Sequence, residues 1–144
     1  HHVAAFVIVV GYCVLAGHVG PGNLGWLGFG VALCAVWALG LALCASVLGA
    51  LLPDISELLG LALQVAFYGA PVVYPLSIVD ESTLRLVINL NPLTTLVGIL
   101  RAGLLGATPP ATGFMVLVVG LGVALVLVGA MALERGRATI PDLV

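Results

Sequence analysis

Between Leu84 and Gly106 the chain reads LRLVINLNPLTTLVGILRAGLLG, two apolar segments joined by Asn91-Pro92. Asn91 suits the N-cap of a helix, Pro92 suits the first helical position, and Gly106 suits the C-terminal stop. The sequence therefore predicts a helix over 92–105, which is about 21 Å long at about 1.5 Å per residue. A helix of that length is too short to cross a hydrocarbon core about 30 Å thick.

A second short apolar segment precedes this helix, so the sequence predicts a helix pair over about 83–106. Two short helices joined by Asn-Pro indicate a re-entrant pair, which enters the membrane and returns to the same side. Non-helical backbone at that depth is tolerated only where protein or a water-filled cavity shelters it. An interfacial pair that lies flat on the membrane is the alternative, and the sequence leaves both open.

The composition places the whole chain in a membrane. Of its 144 residues, 62% are hydrophobic and 7% are charged, and the mean hydropathy is +1.32. A soluble domain of this length needs more polar surface than these residues supply, so lipid is the solvent for most of the chain. The chain has no lysine and a net charge of −2, which argues against a nucleic-acid partner.

Four apolar stretches are long enough, or nearly so, to cross a bilayer, which takes about 20 residues. They cover about 3–19, 25–50, 58–79 and 111–133. The predicted fold is therefore all-α, a polytopic membrane helix bundle of about four transmembrane helices plus the re-entrant or interfacial pair, in one transmembrane domain over 1–144. Arg135 and Arg137 follow the last span in a tail over 134–144, and positive charge beside a span places the C-terminus in the cytoplasm.

The sequence contains no pattern typical of catalysis. It has no Ser/His/Asp cluster, no pair of carboxylates inside an apolar span, no metal-ligand spacing and no Gly-rich phosphate loop. Cys13, Cys34 and Cys44 lie inside apolar runs, where free cysteine packs as a small hydrophobe. We therefore predict no catalytic residue and no metal site in this chain.

Small residues recur four positions apart on two of the predicted spans, and such ridges allow helices to approach closely in lipid. They are Ala38, Ala42 and Ser46 on the second span and Gly120 and Ala124 on the fourth. Packing within the bundle is the interpretation that we favour, and a subunit interface is the alternative.

Two prolines, Pro71 and Pro75, interrupt the third predicted span. Each proline removes a backbone hydrogen bond and kinks or ends the helix, and a broken helix near a membrane face can serve as a gate or a substrate contact in a transporter. The alternative is a kink that only shapes the bundle. Tyr68 and Tyr74 lie beside the break, where their rings suit either an interfacial anchor or the wall of a sugar path.

On the predicted 92–105 helix, Thr94, Gly98 and Arg101 share one face because they are spaced i, i+4 and i+7. An arginine at membrane depth is costly unless it is paired or hydrated. We therefore expect Arg101 to face a polar cavity or a carboxylate. Asp80 and Glu81 are the nearest acids in the sequence, and both ion pairing and substrate contact fit the spacing.

These segments together resemble the permease subunits of type-2 ABC exporters. The similarity is most specific in four runs: PDISELLG at 53–60, FYGAPVVYPLS at 67–77, LNPLT at 90–94 and RAGLLG at 101–106. The tail ERGRATIPDLV at 134–144 resembles the family's C-terminus. The nearest branch exports O-antigen, teichoic acid and capsular polysaccharide, and the run VYPLS at 73–77 favours that branch.

The resemblance implies which parts of the transporter the chain contains. Its four spans would be the third to sixth of six, as in a C-terminal fragment, and the segment 80–110 would lie outside, over the channel exit. The loop that contacts the ATPase subunit would comprise Asp54, Ile55, Ser56 and Glu57. The substrate path or gate would comprise Tyr68, Pro71, Tyr74, Pro75, Asn91, Pro92, Thr94 and Arg101. The family commonly has a basic residue where this chain has Pro53, so the details of the ATPase contact stay open.

The resemblance also implies a function, partners and a location. Two permease copies, as a homodimer, and two ABC ATPase subunits would extrude a lipid-linked polysaccharide or a similar cell-surface glycan across a bacterial-type inner (plasma) membrane. ATP would bind the partner subunit, so this chain would need no cofactor and would not be an enzyme. A drug or lipid exporter of the same superfamily is the first alternative. A membrane-embedded glycosyl- or acyltransferase is the second, and it needs a polar catalytic cluster that the sequence lacks.

Overall fold

The computed structural model describes residues 2–17, 20–52, 54–71 and 82–139. Over these ranges the chain forms six α-helices and no strand. The helices are α1 (His2–Leu15), α2 (Pro21–Leu51), α3 (Ile55–Gly69), α4 (Ser82–Leu90), α5 (Pro92–Leu105) and α6 (Thr112–Thr139). The predicted all-helical class is confirmed for this part of the chain.

Two helices have the length and apolar composition to cross a membrane, over Gly22–Ala50 in α2 and Thr112–Arg135 in α6. The α4–α5 pair adds a third if its two bent halves are one span. The described ranges therefore belong to a multi-pass membrane protein with two or three candidate spans, and the predicted count of four is not confirmed. α1 and α3 have 14 and 15 residues, which is too short for a single straight crossing.

α3 ends at Gly69 because a proline follows two residues later. Ala70 has extended backbone angles, φ −85° and ψ 144°, as the residue before a proline usually has. Pro71 therefore lies after the helix and not inside it. Tyr74, Pro75 and the rest of 72–81 lie outside the described residues, so a third span that reaches residue 79 stays a prediction.

Four further helix boundaries differ from the prediction. α1 ends at Leu15 instead of about residue 19. α2 begins at Pro21 instead of about residue 25, because a proline suits the first helical position. α3 begins at Ile55, so most of the predicted ATPase-contact loop is a helical turn. α6 continues to Thr139, so the first part of the predicted tail over 134–144 extends the last helix, where Glu and Arg are good helix formers.

The core of the described structure lies where α2 packs against α5 and α6. Leu33 of α2, Leu96 and Ile99 of α5, and Val118 of α6 are buried together. Lipid tails are as apolar as these side chains, so close van der Waals packing, and not escape from water, stabilises the contact.

Glycines allow α2 and α6 to approach closely. A Cβ atom placed on Gly40 would lie 3.1 Å from the Leu125 Cβ, and one placed on Gly129 would lie 2.7 Å from the Leu43 Cβ. The missing side chains therefore let the two backbones lie closer together than larger residues would permit.

Two hydrogen bonds cross the same interface. Trp37 Nε1 donates to the Val118 carbonyl at 3.1 Å, and Cys44 Sγ donates to the Leu125 carbonyl at 3.6 Å. Both acceptors are backbone groups of α6, so the bonds fix the register of α2 along that helix. Hydrogen bonds between membrane helices contribute modestly to their association, by about 0.6 kcal/mol on average.

The predicted small-residue ridges do not form this interface. Ala38, Ala42, Ser46, Gly120 and Ala124 are all exposed, whereas Gly40, Gly122 and Gly129 are buried. Among the residues that the structure describes, those ridges therefore do not pack, and their interpretation as packing within the bundle is not confirmed. In lipid the packed face and the lipid-facing face are equally apolar, so spacing of small residues alone does not identify the packed one.

α5 packs even more closely on the first half of α2. A Cβ atom placed on Gly103 would lie 2.5 Å from the Leu27 nitrogen, and one placed on Gly30 would lie 2.9 Å from the Leu100 Cδ2. The contact at Gly103 is against backbone, which cannot move aside as a flexible side chain can. Glycine at this position therefore fixes α5 on α2.

Gly103→Ala is expected to lower the free energy of unfolding of the membrane domain by about 1–3 kcal/mol, because overpacking a tight contact typically costs that much. Gly120→Ala is the control, because Gly120 is exposed and a Cβ placed there meets no neighbouring element within 4 Å. Both variants are compared by the temperature at which half of the protein has aggregated, which is measured by size-exclusion chromatography in detergent. Equal midpoints for Gly103→Ala and the unchanged protein would contradict the close contact.

Candidate functional site

α4 and α5 meet at an angle of 82°, in a break at Asn91 that we call the Asn91 corner. Asn91 is extended, with φ −69° and ψ 119°, and its Oδ1 accepts a hydrogen bond from the Leu93 N–H at 3.1 Å. Pro92 begins α5, and Gly106 ends it in the left-handed region with φ 64°. The predicted helix over 92–105, its N-cap and its C-terminal stop are confirmed.

The Asn91 side chain also contacts the end of α3. Its Nδ2 donates to the Ala66 carbonyl at 2.6 Å, in the last helical turn, where carbonyls lack partners within the helix. The next carbonyl, of Phe67, accepts from the Ala70 N–H at 3.2 Å. One side chain thus satisfies an acceptor at the end of α3 and a donor at the start of α5.

Thr94 braces the inner side of the Asn91 corner. Its hydroxyl donates to the Ile88 carbonyl at 2.7 Å, and the Asn91 N–H donates to the same carbonyl at 3.2 Å. Thr94 is 6% exposed, and a sheltered hydrogen bond is electrostatically stronger than one in water. The Thr94 hydroxyl proton is therefore engaged in holding α4 against α5.

A cavity of about 340 Å³ lies beside the corner, between α5 and the 106–111 segment that leads into α6. We call it the Arg101 cavity. Thr94, Gly98 and Arg101 line it together, as expected for residues that share a face of α5. The other polar side chains on its wall are Asn89, Thr95 and Thr108.

Arg101 is partly buried on the wall of this cavity. A Cβ atom placed on Gly98 would lie 2.7 Å from the Pro110 Cγ, so glycine there lets the 106–111 segment close over the space. A guanidinium at membrane depth needs water or a polar partner, and a polar cavity provides room for water. Asp80 and Glu81, the nearest acids in the sequence, lie outside the described residues.

The predicted ATPase-contact residues lie at the other end of α3, about 20 Å from the Asn91 corner by helix length. Asp54 precedes the helix and makes no side-chain cap hydrogen bond, and Ile55, Ser56 and Glu57 begin its first turn. Asp54 and Glu57 are exposed and Ile55 is partly buried. An acid in the first turn interacts favourably with the helix dipole, so Glu57 stabilises the start of α3 while it faces outward.

Tyr68 and Pro71 lie at the end of α3 that Asn91 contacts. Tyr68 is exposed, and its ring meets the Phe67 ring edge to face at 5.8 Å. Pro71 is buried just after the helix. The other two predicted gate residues of this segment, Tyr74 and Pro75, lie outside the described residues, so the structure brings Tyr68, Pro71 and Asn91 into one region and leaves the rest as a prediction.

Three polar residues of the cavity wall, Asn89, Thr95 and Thr108, are absent from the predicted site. Asn89 had a usable signal, because a polar side chain within an apolar membrane segment marks a functional position by default. Thr95 follows Thr94 directly and turns out to be 2% exposed. Thr108 lies in a loop, and only the packing of the 106–111 segment over α5 brings it to the wall.

Comparison with known proteins gives one family. Residues 2–105 match the family described as ABC-2 type transporter. The match takes in α1 to α5, and therefore the predicted ATPase-contact residues, the Asn91 corner and the α5 wall of the Arg101 cavity. No individual curated protein matches the chain.

Proposed function

This chain belongs to the ABC-2 type transporter family, and we propose that it is the permease subunit of an ATP-driven exporter of lipid-linked polysaccharide or a similar cell-surface glycan. The observation on which the transport function rests is the family match, which extends over 2–105 and includes the bent helix pair. The permease role requires a chain that crosses the membrane more than once, and α2 and α6 both have the length and composition to do so.

In the proposed assembly, two copies of the permease pair with two ABC ATPase subunits in the inner membrane, with the C-terminus in the cytoplasm. ATP binds the ATPase subunits, so the permease itself holds no cofactor and catalyses no reaction. In this proposal Asp54 and Glu57 meet the ATPase subunit, and this contact is supported by their exposure as acids at the start of α3. Arg135, exposed near the end of α6, supports the cytoplasmic side for that end.

The substrate path in this proposal runs past the Asn91 corner and the Arg101 cavity. Arg101 and the hydroxyl-bearing wall offer hydrogen bonds to a polar substrate at a depth where lipid offers none. Tyr68 and Tyr74 supply aromatic rings, whose apolar faces and hydroxyls suit contact with sugars. A drug or lipid exporter of the same family is the second candidate, because the cavity also has an apolar part that includes Phe114.

Asp54→Asn together with Glu57→Gln is expected to abolish co-purification of the ATPase subunit, since both contact charges are removed without a change of shape. Glu134→Gln is the matched control, because Glu134 is an exposed acid on α6 and not one of the predicted contact residues. Affinity purification of the permease from membranes, followed by quantification of the ATPase subunit, measures the effect. A fully assembled and active complex in the double variant would refute the contact.

Arg101→Ala is expected to reduce export at least tenfold without preventing membrane insertion, because the cavity wall loses the charge of Arg101. A lost hydrogen bond to a charged group costs about 1.5–3 kcal/mol, which corresponds to a tenfold or larger change in rate. Arg85→Ala is the control, because Arg85 belongs to the same helix pair but is exposed and does not line the cavity. Surface glycan on cells that carry each variant is the readout.

The same assay separates the two candidate substrates. Removal of the gene lowers surface glycan if the chain belongs to a glycan exporter. Unchanged surface glycan together with raised drug sensitivity would instead identify the drug exporter. Normal export by Arg101→Ala would reduce Arg101 to a structural anchor.

A further inference from the structure

We propose that Asn91 is a positioning residue that couples the ATPase contact to the Asn91 corner, with α3 as the rigid connection between them. The inference rests on the proposed function, because it needs an ATPase subunit that moves the start of α3. Its structural basis is the single side chain that bonds α3 and α5 at once, through Ala66 and Leu93.

α3 is suited to transmit a displacement along its axis. It starts directly after Asp54 and ends three residues beyond Ala66, so the ATPase contact and the Asn91 bond lie at its two ends. Its side chains are largely exposed, among them Leu58, Leu61 and Val65, and its main packing partner is α2. A helix with so little side contact can shift without disrupting the α2–α5–α6 core.

The bond from Asn91 to Ala66 joins two partly buried residues and is costly to break. A sheltered carbonyl that is left without a partner loses its full hydrogen-bond energy. Carbonyls in the last turn of a helix lack an i+4 partner within that helix, and the Asn91 amide donates to the carbonyl of Ala66 at 2.6 Å. A displacement of α3 is therefore expected to move the Asn91 corner before the bond breaks.

Of the two helices at the corner, α4 is the one that this displacement would move. α5 is fixed on α2 by the contact of Gly103 with the Leu27 backbone. α4 packs mainly on α5, and residues 83–87 are exposed. The Thr94 bond to the Ile88 carbonyl ties the end of α4 to the corner, so a shift at Asn91 tilts α4 and changes the wall of the Arg101 cavity, which Asn89 helps to form.

Substitutions at Asn91 separate this role from helix capping. Asn91→Asp and Asn91→Ser keep an oxygen that accepts from the Leu93 N–H, and both residues are good N-caps. Neither donates to the Ala66 carbonyl as the amide does, because the carboxylate has no donor and the serine hydroxyl is too short. Gln64→Ser is the control, since it removes an amide from an exposed position of α3.

The experiment measures whether α4 responds to nucleotide. Thr83, exposed on α4, is replaced by cysteine in a full-length permease without native cysteines, purified with its ATPase subunit in nanodiscs. Labelling by a hydrophilic maleimide is timed without nucleotide and with ATP plus vanadate. The protein with Asn91 unchanged and the Gln64→Ser variant are expected to give labelling rates that differ between the two states. Asn91→Asp and Asn91→Ser are expected to lose that difference while their ATPase subunit still hydrolyses ATP.

Three outcomes of this experiment would count against the proposals. A nucleotide-dependent labelling difference that persists in both Asn91 variants would overturn the coupling role and leave Asn91 a cap. No difference even with the unchanged Asn91 would overturn it too, because α4 would not move. Absence of any co-purifying ATPase subunit would contradict the proposed function itself, and is seen before any labelling is done.

Discussion

A helix that ends within a membrane leaves backbone groups for which lipid offers no hydrogen-bond partner, and this constraint shapes the centre of the structure. Three helix ends meet at the Asn91 corner: the end of α3, the end of α4 and the start of α5. Asn91 satisfies the Ala66 carbonyl and the Leu93 N–H, and Thr94 satisfies the Ile88 carbonyl. Two polar side chains therefore satisfy backbone groups that a sharp break between helices would leave without partners.

The corner depends in turn on a rigid support. α5 lies on α2 through Gly103 and Gly30, and α6 lies on α2 through Gly40 and Gly129, so the three helices form one closely packed unit. The 106–111 segment returns over α5 from this unit and leaves the Arg101 cavity beneath it. Arg101 is therefore partly buried, with close packing on one side and a polar cavity on the other.

Whether the sequence predicted an interaction depended on how far apart along the chain its two residues lie. The N-cap at Asn91, the proline at the first position of α5 and the stop at Gly106 are local, so spacing along the chain sufficed. The bond from Asn91 to Ala66 joins residues 25 apart in sequence, and no local pattern indicates it. The glycines through which α2 and α6 pack were not predicted, because lipid and protein are equally apolar neighbours for a small residue.

We propose that the chain turns at Asn91 and returns to the side from which it came, whereas a single broken span is the alternative for the bent α4–α5 pair. Thr83, before the corner, and Thr108, after it, are both exposed. Single cysteines at these positions, in a protein without its native cysteines, test this directly in intact cells. We expect a membrane-impermeant maleimide added outside to label both positions. Labelling of only one from outside, with the other reached only after the cells are opened, would make the α4–α5 pair a broken span and contradict the account.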